Sequence, residues 1–273
     1  MPFATSHDGA RLYYQDDCLV PPWAPAAPVV LMHHGVALTG DAWAEWLSVL
    51  LRAGFRVIRL DMRGFGRSEK VSPDYRWSMD DFFADIEAVA AEAGAQSFHY
   101  VGESLGGLIG LALAARRPDL TTSLCLLSTP CDGRLIGPAI DSWRDIVQKQ
   151  GMAAWSRALM PMRFTPGSVS REIHEWVLGL QAACCPHAVV GQAEFIRTQS
   201  MADELPSVRA PVLILSSDGS PFVDRSLAMD LHERLPSSEI QWYPGHRHSL
   251  LISGAARCAS AYAHFLDRRL GAD

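Results

Sequence analysis

The feature that most constrains the fold is a short apolar run that enters a glycine-rich turn and leaves it as a second apolar run. Phe98–Val101 has the composition of a buried strand, Gly102-Glu-Ser-Leu-Gly-Gly107 follows directly, and Leu108–Ala115 continues with a helical pattern. Strand, tight turn and helix in this order are the context in which a G-x-S-x-G pattern forms a nucleophile elbow. The glycines leave room for a sharp bend that presents the serine hydroxyl at a helix N-terminus. The pattern therefore predicts that Ser104 is a nucleophile.

Apolar strand-like runs alternate with helical patterns through most of the chain. Such alternation is typical of an α/β fold, in which helices cover a mainly parallel sheet. The clearest helix is Ser78–Ala93, because Ser78 is a good N-cap and apolar residues recur at helical spacing. The predicted strands are Leu12–Gln15, Val29–Met32, Arg56–Leu60, Phe98–Val101, Ser123–Leu127, Val212–Leu215 and Ile240–Tyr243.

The pattern changes between residues 131 and 205, where only helices are predicted. Residues 1–130 and 206–273 are expected to form the core, and 131–205 a helical cap or lid over the carboxyl edge of the sheet, where ligands bind in open α/β folds. Its predicted helices are 139–150, 152–160, 170–183 and 187–200, separated by prolines. Trp155 and Met160 of this segment, together with Trp43, are candidate substrate-binding residues. Ordinary packing against the core is the alternative for each of them.

Composition excludes several classes of partner. The formal net charge is −6 and the 24 Lys and Arg residues do not cluster, so nucleic acid is not expected as a partner. No signal peptide is recognised and no apolar run is long enough to span a membrane. Six cysteines lack CxxC spacing, as expected for free thiols in the cytoplasm. The expected partner is a small molecule, no cofactor or metal is needed, and assembly into a homo-oligomer is left open.

Two backbone amides are candidates for an oxyanion hole. An acyl-transfer reaction develops negative charge on a carbonyl oxygen, and N–H donors must already point at it. Leu105 follows the nucleophile at the start of its helix, and Val36 lies just past the end of the strand Val29–Met32. His33 and His34, which precede Val36, could be metal ligands, but no neighbouring carboxylate or cysteine cluster completes a site.

Three segments together resemble the signature motifs of the α/β-hydrolase superfamily, and the similarity extends over the whole chain. They are His34-Gly35, Asp61-Met-Arg-Gly-Phe-Gly-Arg-Ser68 and Gly102-Glu-Ser-Leu-Gly-Gly107. The passage Met201–Pro211 is similar in style to that of 3-oxoadipate enol-lactonases and related small esterases. The resemblance implies the α/β-hydrolase fold and a catalytic triad of Ser104, a histidine and a carboxylate.

The resemblance places the histidine after the last strand, in Tyr243-Pro-Gly-His-Arg-His-Ser-Leu-Leu251. Two histidines compete for the role of base, His246 and His248. The preceding proline, the following Ser-Leu-Leu and the distance to the last helix match the family pattern when His248 is the base, so we favour His248. The two histidines could instead form a metal pair, but further ligands are not evident.

The triad acid is where the sequence departs from the family. The expected register places it at position 220, which is Ser220 in this chain. Asp218, two residues earlier, is the preferred substitute, Asp132 is the alternative acid, and Asp224 is a third candidate. The remaining alternatives are a Ser–His dyad or a weaker hydrogen bond from Ser220 to His248.

The expected function is that of a serine hydrolase, esterase- or lactonase-like and of class EC 3.1. It would cleave a small to medium carboxylic ester, enol-lactone or thioester through an acyl-enzyme. The same fold also supports carbon–carbon cleavage of a β-diketone and cofactor-free oxygenase or lyase chemistry. The alternative outside enzymes is a ligand-binding signalling protein that keeps the hydrolase fold.

Overall fold

The fold is centred on one eight-stranded sheet in a computed structural model that describes residues 3–270. The strands are β1 (Phe3–Thr5), β2 (Arg11–Asp17), β3 (Val29–His33), β4 (Arg56–Leu60), β5 (Phe98–Glu103), β6 (Thr121–Leu127), β7 (Val212–Ser217) and β8 (Ser238–Tyr243). Their order across the sheet is β1-β2-β4-β3-β5-β6-β7-β8. Strands β1, β2 and β4 pair in antiparallel fashion, and all other neighbours are parallel. The predicted α/β fold class is confirmed, and β1 is an addition to the predicted strands.

Eleven α-helices are present within residues 3–270. They are α1 (Ala44–Leu50), α2 (Met79–Glu92), α3 (Leu105–Arg116), α4 (Gly137–Ile140), α5 (Trp143–Gln150), α6 (Met152–Arg163), α7 (Arg171–Ala182), α8 (Pro186–Thr198), α9 (Arg225–Arg234), α10 (Leu250–Ser253) and α11 (Ala255–Leu270). Ser78 caps α2 as predicted, since its hydroxyl accepts from the amide of Asp81 at 3.1 Å. No helix in this part of the chain is both long and apolar enough to cross a membrane.

The sheet separates two apolar clusters, one on each face. Strand β5 is buried over its whole length because it lies at the centre of the sheet, and α3 leaves its end with ten buried residues. Buried parallel strands are apolar on both faces, which explains why the central runs could be recognised without alternation. The centre of the sheet therefore gives the β5–α3 turn a rigid support.

Helices α4 to α8 lie between β6 and β7 in the chain. The two ends of this insertion (residues 131–205) lie side by side, because Gly133 N donates to Gln199 O at 2.9 Å and Met201 N donates to Cys131 O at 2.7 Å. Residues 139–150 were predicted as one helix and form two, α4 and α5. That the insertion is a separate lid domain stays a prediction.

Candidate active site

Ser104 lies at a sharp turn between β5 and α3. Its φ of 54° and ψ of −115° are rare for a residue with a side chain, and such strain is typical of functional sites. The surroundings force this geometry, since a Cβ on Gly102 would lie 2.5 Å from the Gly106 carbonyl oxygen, and one on Gly106 would lie 2.7 Å from the His34 carbonyl oxygen. Glycine is therefore required at both positions, and the turn presents the hydroxyl of Ser104 at the start of α3.

A substitution pair tests this packing. Gly106→Ala is expected to lower the free energy of unfolding by about 1–3 kcal/mol, because the new methyl group collides with rigid backbone. The control is Gly179→Ala in α7, where a Cβ meets no atom within 4 Å, and there alanine should stabilise the helix by up to about 1 kcal/mol. Urea unfolding measures both changes. Equal stabilities of the two variants would contradict the tight packing of the elbow.

The hydroxyl of Ser104 faces a small cavity whose polar lining consists of Glu103, Ser104, Arg163 and His248. The cavity offers about 20 Å³ to the centre of a water molecule, which is close to the space that one water molecule needs. Val36 and Phe222 contribute apolar surface from the core, and the insertion covers the rest with Ile136, Ile140, Trp143, Leu159 and Ile196. The cavity therefore combines a serine hydroxyl, an imidazole and two buried charged groups under an apolar cover.

The loop after β3 is fixed by a histidine that does not itself line the cavity. Nδ1 of His34 donates to the carbonyl of Gly35 at 2.7 Å, and Nε2 accepts from the amide of Met62 at 2.8 Å. Val36 follows in this loop and lines the cavity with Ser104. His34 is therefore a brace for the loop that carries one of the two predicted oxyanion donors.

Asp61 holds the adjoining loop in place. Its carboxylate accepts from the amide of Gly40 at 2.7 Å and from the amide of Arg67 at 2.9 Å. Arg63 of the same loop is buried and ion-paired with Asp85 at 2.5 Å. The Asp61–Ser68 motif is thus structural. It packs against the loop after β3 that carries Gly35 and Val36, which we call the oxyanion loop, and it does not line the cavity.

Both predicted oxyanion donors lie beside the nucleophile. Val36 lines the cavity, and Leu105 is the first residue of α3, where amides have no partner within the helix. Neither amide has a backbone acceptor among residues 3–270. Two N–H groups without a backbone acceptor beside a serine hydroxyl are the kind of donors that an oxyanion hole needs. Their role in catalysis stays a prediction.

The imidazole of His248 lies in the cavity and is hydrogen-bonded to Ser220, not to a carboxylate. Its Nδ1 lies 3.0 Å from Oγ of Ser220. The same Oγ accepts from the amides of Phe222 at 3.3 Å and Val223 at 3.1 Å. The family register that placed the acid at position 220 thus leads to the residue that contacts the histidine.

The hydrogen-bond partners of Ser220 assign the tautomer of His248. A hydroxyl has two acceptor lone pairs and one hydrogen, and two backbone amides already donate to this oxygen. Its hydrogen is therefore left for Nδ1 of His248, which must accept it and so leaves the ring proton on Nε2. A general base needs the opposite tautomer, with Nε2 free to take the serine proton. Within residues 3–270, Ser104 and His248 form no hydrogen bond in this structure.

The proposed carboxylates lie elsewhere. Asp218 accepts from the amide of Gly245 at 2.8 Å and does not contact His248. Asp132 pairs with Arg134 and accepts from Ser200 at 3.0 Å; its hydrogen bonds from Arg134 lower its pKa. Neither residue lines the cavity, so the geometry does not support Asp218, or the alternative Asp132, as the triad acid.

The two remaining alternatives also have other partners. Asp224 is the N-cap of α9 and accepts from the amide of Leu227 at 2.9 Å. Nδ1 of His246 lies 2.9 Å from the hydroxyl of Ser253, outside the cavity lining. Of the two candidate histidines, His248 is therefore the one that shares the cavity with Ser104.

The three predicted substrate-binding residues do not line the cavity, which corrects that expectation. Trp43 is fully buried in the core against Trp46, with ring centroids 5.2 Å apart. Trp155 packs behind Trp143 at the same centroid distance, and Met160 accepts from an amide of the insertion through its sulfur. Large apolar side chains near a site mostly serve the core, and Trp143 is the one that reaches the cavity.

Burial shifts the pKa values of the charged lining groups. Glu103 is fully buried, which raises its pKa to about 7, and the positive charge of Arg163 offsets only part of this rise. The pKa of His248 is lowered to about 3, first by burial and then by the charge of Arg163. Sequence reasoning gave Glu103 no role and missed Arg163. Pro161 suggested a helix end, whereas α6 continues to Arg163 and carries it into the site.

The comparisons with known proteins agree with this fold. A family model described as "alpha/beta hydrolase fold" matches residues 28–159. A putative carbamate hydrolase, RutD, from Pantoea ananatis is 31% identical over 235 residues, or 82% of this chain and 83% of that protein. A bifunctional esterase/perhydrolase from Acinetobacter calcoaceticus is 37% identical over 120 residues, 44% of this chain and 41% of that enzyme.

Among solved structures, the enol-lactonase from Burkholderia xenovorans LB400 superposes with a TM-score of 0.86 and 22% identity, covering 97% of this chain and 99% of that chain. This likeness shows the fold alone. The first sequence relatives are matched over only 36% and 41% of their own length. The longer match to the putative carbamate hydrolase covers most of both proteins. Together with the elbow geometry, these findings show that the chain belongs to the α/β-hydrolase superfamily.

Proposed function

We propose that the protein is a serine hydrolase that cleaves a small carboxylic ester, enol-lactone or thioester through an acyl-enzyme. The observation that carries this proposal is the position of Ser104: it lies in a left-handed conformation at the start of α3, in the same cavity as His248. A serine hydroxyl held this way in a cavity, with an imidazole and two free amides nearby, is the arrangement that nucleophilic acyl transfer uses. A relative named as a bifunctional esterase/perhydrolase favours the same class.

In the proposed reaction, Oγ of Ser104 attacks the carbonyl carbon while its proton passes to Nε2 of His248. The amides of Val36 and Leu105 bind the oxyanion, the alcohol or thiol leaves with the proton, and water then releases the acyl group. His248 must first shift its ring proton from Nε2 to Nδ1. Because Ser220 favours the Nε2–H tautomer and carries no charge, we expect slow turnover compared with a carboxylate triad.

The cavity sets the expected size of the acyl group. The cavity has room for about one water molecule, so each carbon added to an acyl chain has to displace side chains of the insertion. Forcing extra methylenes into a packed site costs about 1–3 kcal/mol. Trp143, which is 7% exposed, is the largest side chain of the insertion that lines the cavity. The structure therefore favours short acyl groups.

Steady-state hydrolysis of p-nitrophenyl esters from acetate to octanoate tests the proposal. We expect kcat/KM to fall by about 10-fold or more between acetate and octanoate, because each extra methylene must fit the closed cavity. Trp143→Ala should move the optimum toward longer chains. Trp176→Ala is the matched control, since this exposed tryptophan of the insertion does not line the cavity.

The outcomes separate the alternatives. Multiple turnover by the wild type supports a hydrolase, and one modification per chain would instead indicate a signalling receptor. No turnover of any ester by the folded protein would contradict the proposal and redirect tests to β-diketone cleavage and to cofactor-free oxygenase or lyase substrates. An equal effect of the two tryptophan variants would contradict the role of Trp143 in setting the size of the acyl group.

A further inference from the structure

A buried polar cluster links five separate segments around Ser104. We name it the Arg163 cluster; its members are Arg163 of α6, Gln181 of α7, the carbonyl of Val36, Ser249 and Glu103. The guanidinium donates to Gln181 Oε1 at 2.7 Å, to Ser249 Oγ at 2.8 Å and to Val36 O at 2.6 Å. One side chain of the insertion is therefore bonded both to the oxyanion loop and to the residue after His248.

All three acceptors of Arg163 are neutral. Its side chain is only 3% exposed, and within residues 3–270 it forms no ion pair within 4 Å. Burial lowers the pKa of Arg163, and the charge of Glu103 opposes this shift. Burying a cation without a close anion costs several kcal/mol. Such a group contributes little to stability compared with an apolar side chain of the same size. Its geometric role beside the nucleophile is therefore the better explanation for its presence.

Glu103 lies on the other side of the same cluster. It is fully buried, and neither carboxylate oxygen has a hydrogen-bond partner among residues 3–270. Its side chain packs against the oxyanion loop so closely that a Cβ on Gly35 would collide with Oε2. It is also the residue directly before Ser104. The carboxylate therefore contacts the backbone that carries Val36 and lies in the cavity lining with Arg163.

The end of α6 is docked onto the His248 loop through the backbone as well. His248 N donates to Met162 O at 3.3 Å, and Ser249 N donates to Arg163 O at 3.1 Å. Arg247 donates to the carbonyl of Pro161 in the last turn of the helix. The last four carbonyls of a helix have no partner within it and are free to accept such bonds. Movement of this helix end therefore displaces the backbone on which the imidazole is mounted.

We propose, on the basis of the proposed function, that Arg163 and Glu103 are positioning residues that hold the Val36 oxyanion loop and the His248 loop in register with Ser104. Arg163 fixes the two loops through Val36 O and Ser249 Oγ, and Glu103 supports the oxyanion loop at Gly35 and supplies the charge that opposes Arg163. Catalysis thereby depends on the docking of the insertion, because α6 carries the residue that completes the alignment.

The ionisation of Glu103 gives the proposal a specific signature. The groups that face it are Arg163 from α6, the Gly35–Val36 backbone, and Ser249 and His248 from the last loop. With a pKa near 7, Glu103 becomes anionic above neutral pH. Its negative charge then offsets the positive charge of Arg163, and it is the charge of Arg163 that disfavours the His248 cation. We expect kcat to rise through about pH 7. The pKa of His248 itself, about 3, lies too low to produce such a limb.

The test compares Arg163→Met, Arg163→Lys and Glu103→Gln on p-nitrophenyl acetate from pH 5 to 9. Arg163→Met should lower kcat by about 10²-fold with KM changed by less than about 3-fold, as expected when an oxyanion donor is misplaced. Arg163→Lys should recover part of kcat through one retained hydrogen bond. Glu103→Gln should remove the rise of kcat near pH 7.

The matched control is Arg63→Met, since Arg63 is equally buried but is ion-paired with Asp85 and Asp8 outside the cavity. Hydrogen exchange gives a readout that does not need activity: Arg163→Met should speed exchange at residues 245–249, and Arg63→Met should not.

If the wild type is inert on esters, the proposed function fails and exchange alone decides this inference. If Arg163→Met does not fold, Arg163→Lys and Glu103→Gln carry the test. Three results would overturn the proposal: an unchanged kcat in Arg163→Met, an effect of that variant on KM alone, or a rise of kcat near pH 7 that persists in Glu103→Gln.

Discussion

Ser104→Ala is expected to lower kcat/KM for p-nitrophenyl acetate by about 10⁴-fold or more, because removing the nucleophile removes the covalent route altogether. The substitution deletes one oxygen from a side chain that is only 9% exposed and makes no hydrogen bond within residues 3–270. Alanine also tolerates the elbow backbone as well as serine does. The folded state should therefore survive, and thermal unfolding should show a change of only a few degrees.

A second serine provides the control. Ser128 is buried, has a φ of 46°, and its hydroxyl has no hydrogen-bond partner in the described residues, yet it does not line the cavity. Ser128→Ala should retain kcat/KM within about 3-fold of the wild type. A covalent label from a fluorophosphonate probe should appear on the wild type and on Ser128→Ala, and be absent from Ser104→Ala. Residual activity in Ser104→Ala above about 1% of the wild-type value would exclude Ser104 as the nucleophile and the acyl-enzyme with it.

The elbow could be predicted because every part of it is contiguous in the chain. Strand β5, the two glycines and α3 occur within twenty residues, and steric exclusion at Gly102 and Gly106 leaves few other conformations. Central strands such as β5 could be predicted for a similar reason, since burial on both faces demands an unbroken apolar run. The edge strand β1, with only Ala4 fully buried, lacks that signal and was missed.

The partner of His248 depended on geometry that a sequence does not contain. Asp218 and Ser220 lie in the same loop after β7, and which of them reaches the imidazole depends on how that loop turns. The turn directs Asp218 toward the amide of Gly245 and Ser220 toward Nδ1. The register did indicate position 220; the preference for Asp218 came from expecting a carboxylate there. The prediction therefore followed the expected residue type, a carboxylate, although the expected position, 220, is the one that contacts His248.

Arg163 and Trp143 were missed for a different reason. Both lie in the insertion, whose helices pack onto the core through contacts far apart in sequence, and no local pattern tells which face meets the cavity. Pro161 predicted the end of α6, but a proline removes only the hydrogen bond that its own nitrogen would donate to the carbonyl four residues earlier, and the helix continues for two more residues. The continuation to Arg163 is what brings a cation to Val36 and Ser249.

Ser220→Asp is expected to raise kcat for p-nitrophenyl acetate by about 10²-fold, and the upper limit is the factor of about 10⁴ that separates the correct from the wrong imidazole tautomer in a serine triad. Hydrogen-bond donors for a carboxylate are already present, because the amides of Phe222 and Val223 donate to the side-chain oxygen of residue 220. A carboxylate only accepts hydrogen bonds. It would therefore place the ring proton of His248 on Nδ1, free Nε2 to accept from Ser104, and stabilise the imidazolium.

The sign of the pH dependence separates this explanation from a general change in packing. A carboxylate beside Nδ1 favours the charged imidazole and so raises the pKa of His248 from about 3 toward its ordinary range. The limb of kcat/KM that follows His248, near pH 3 in the wild type, should move up in pH with it, so that the variant gains most above pH 7 and least at pH 5. Ser220→Asn is the control of equal size without the charge, and it should show neither the gain nor the shifted limb. If Ser220→Asp folds and is no faster than Ser220→Asn at pH 8, the tautomer of His248 does not limit the reaction, and the slow step lies in the docking of the insertion or in product release.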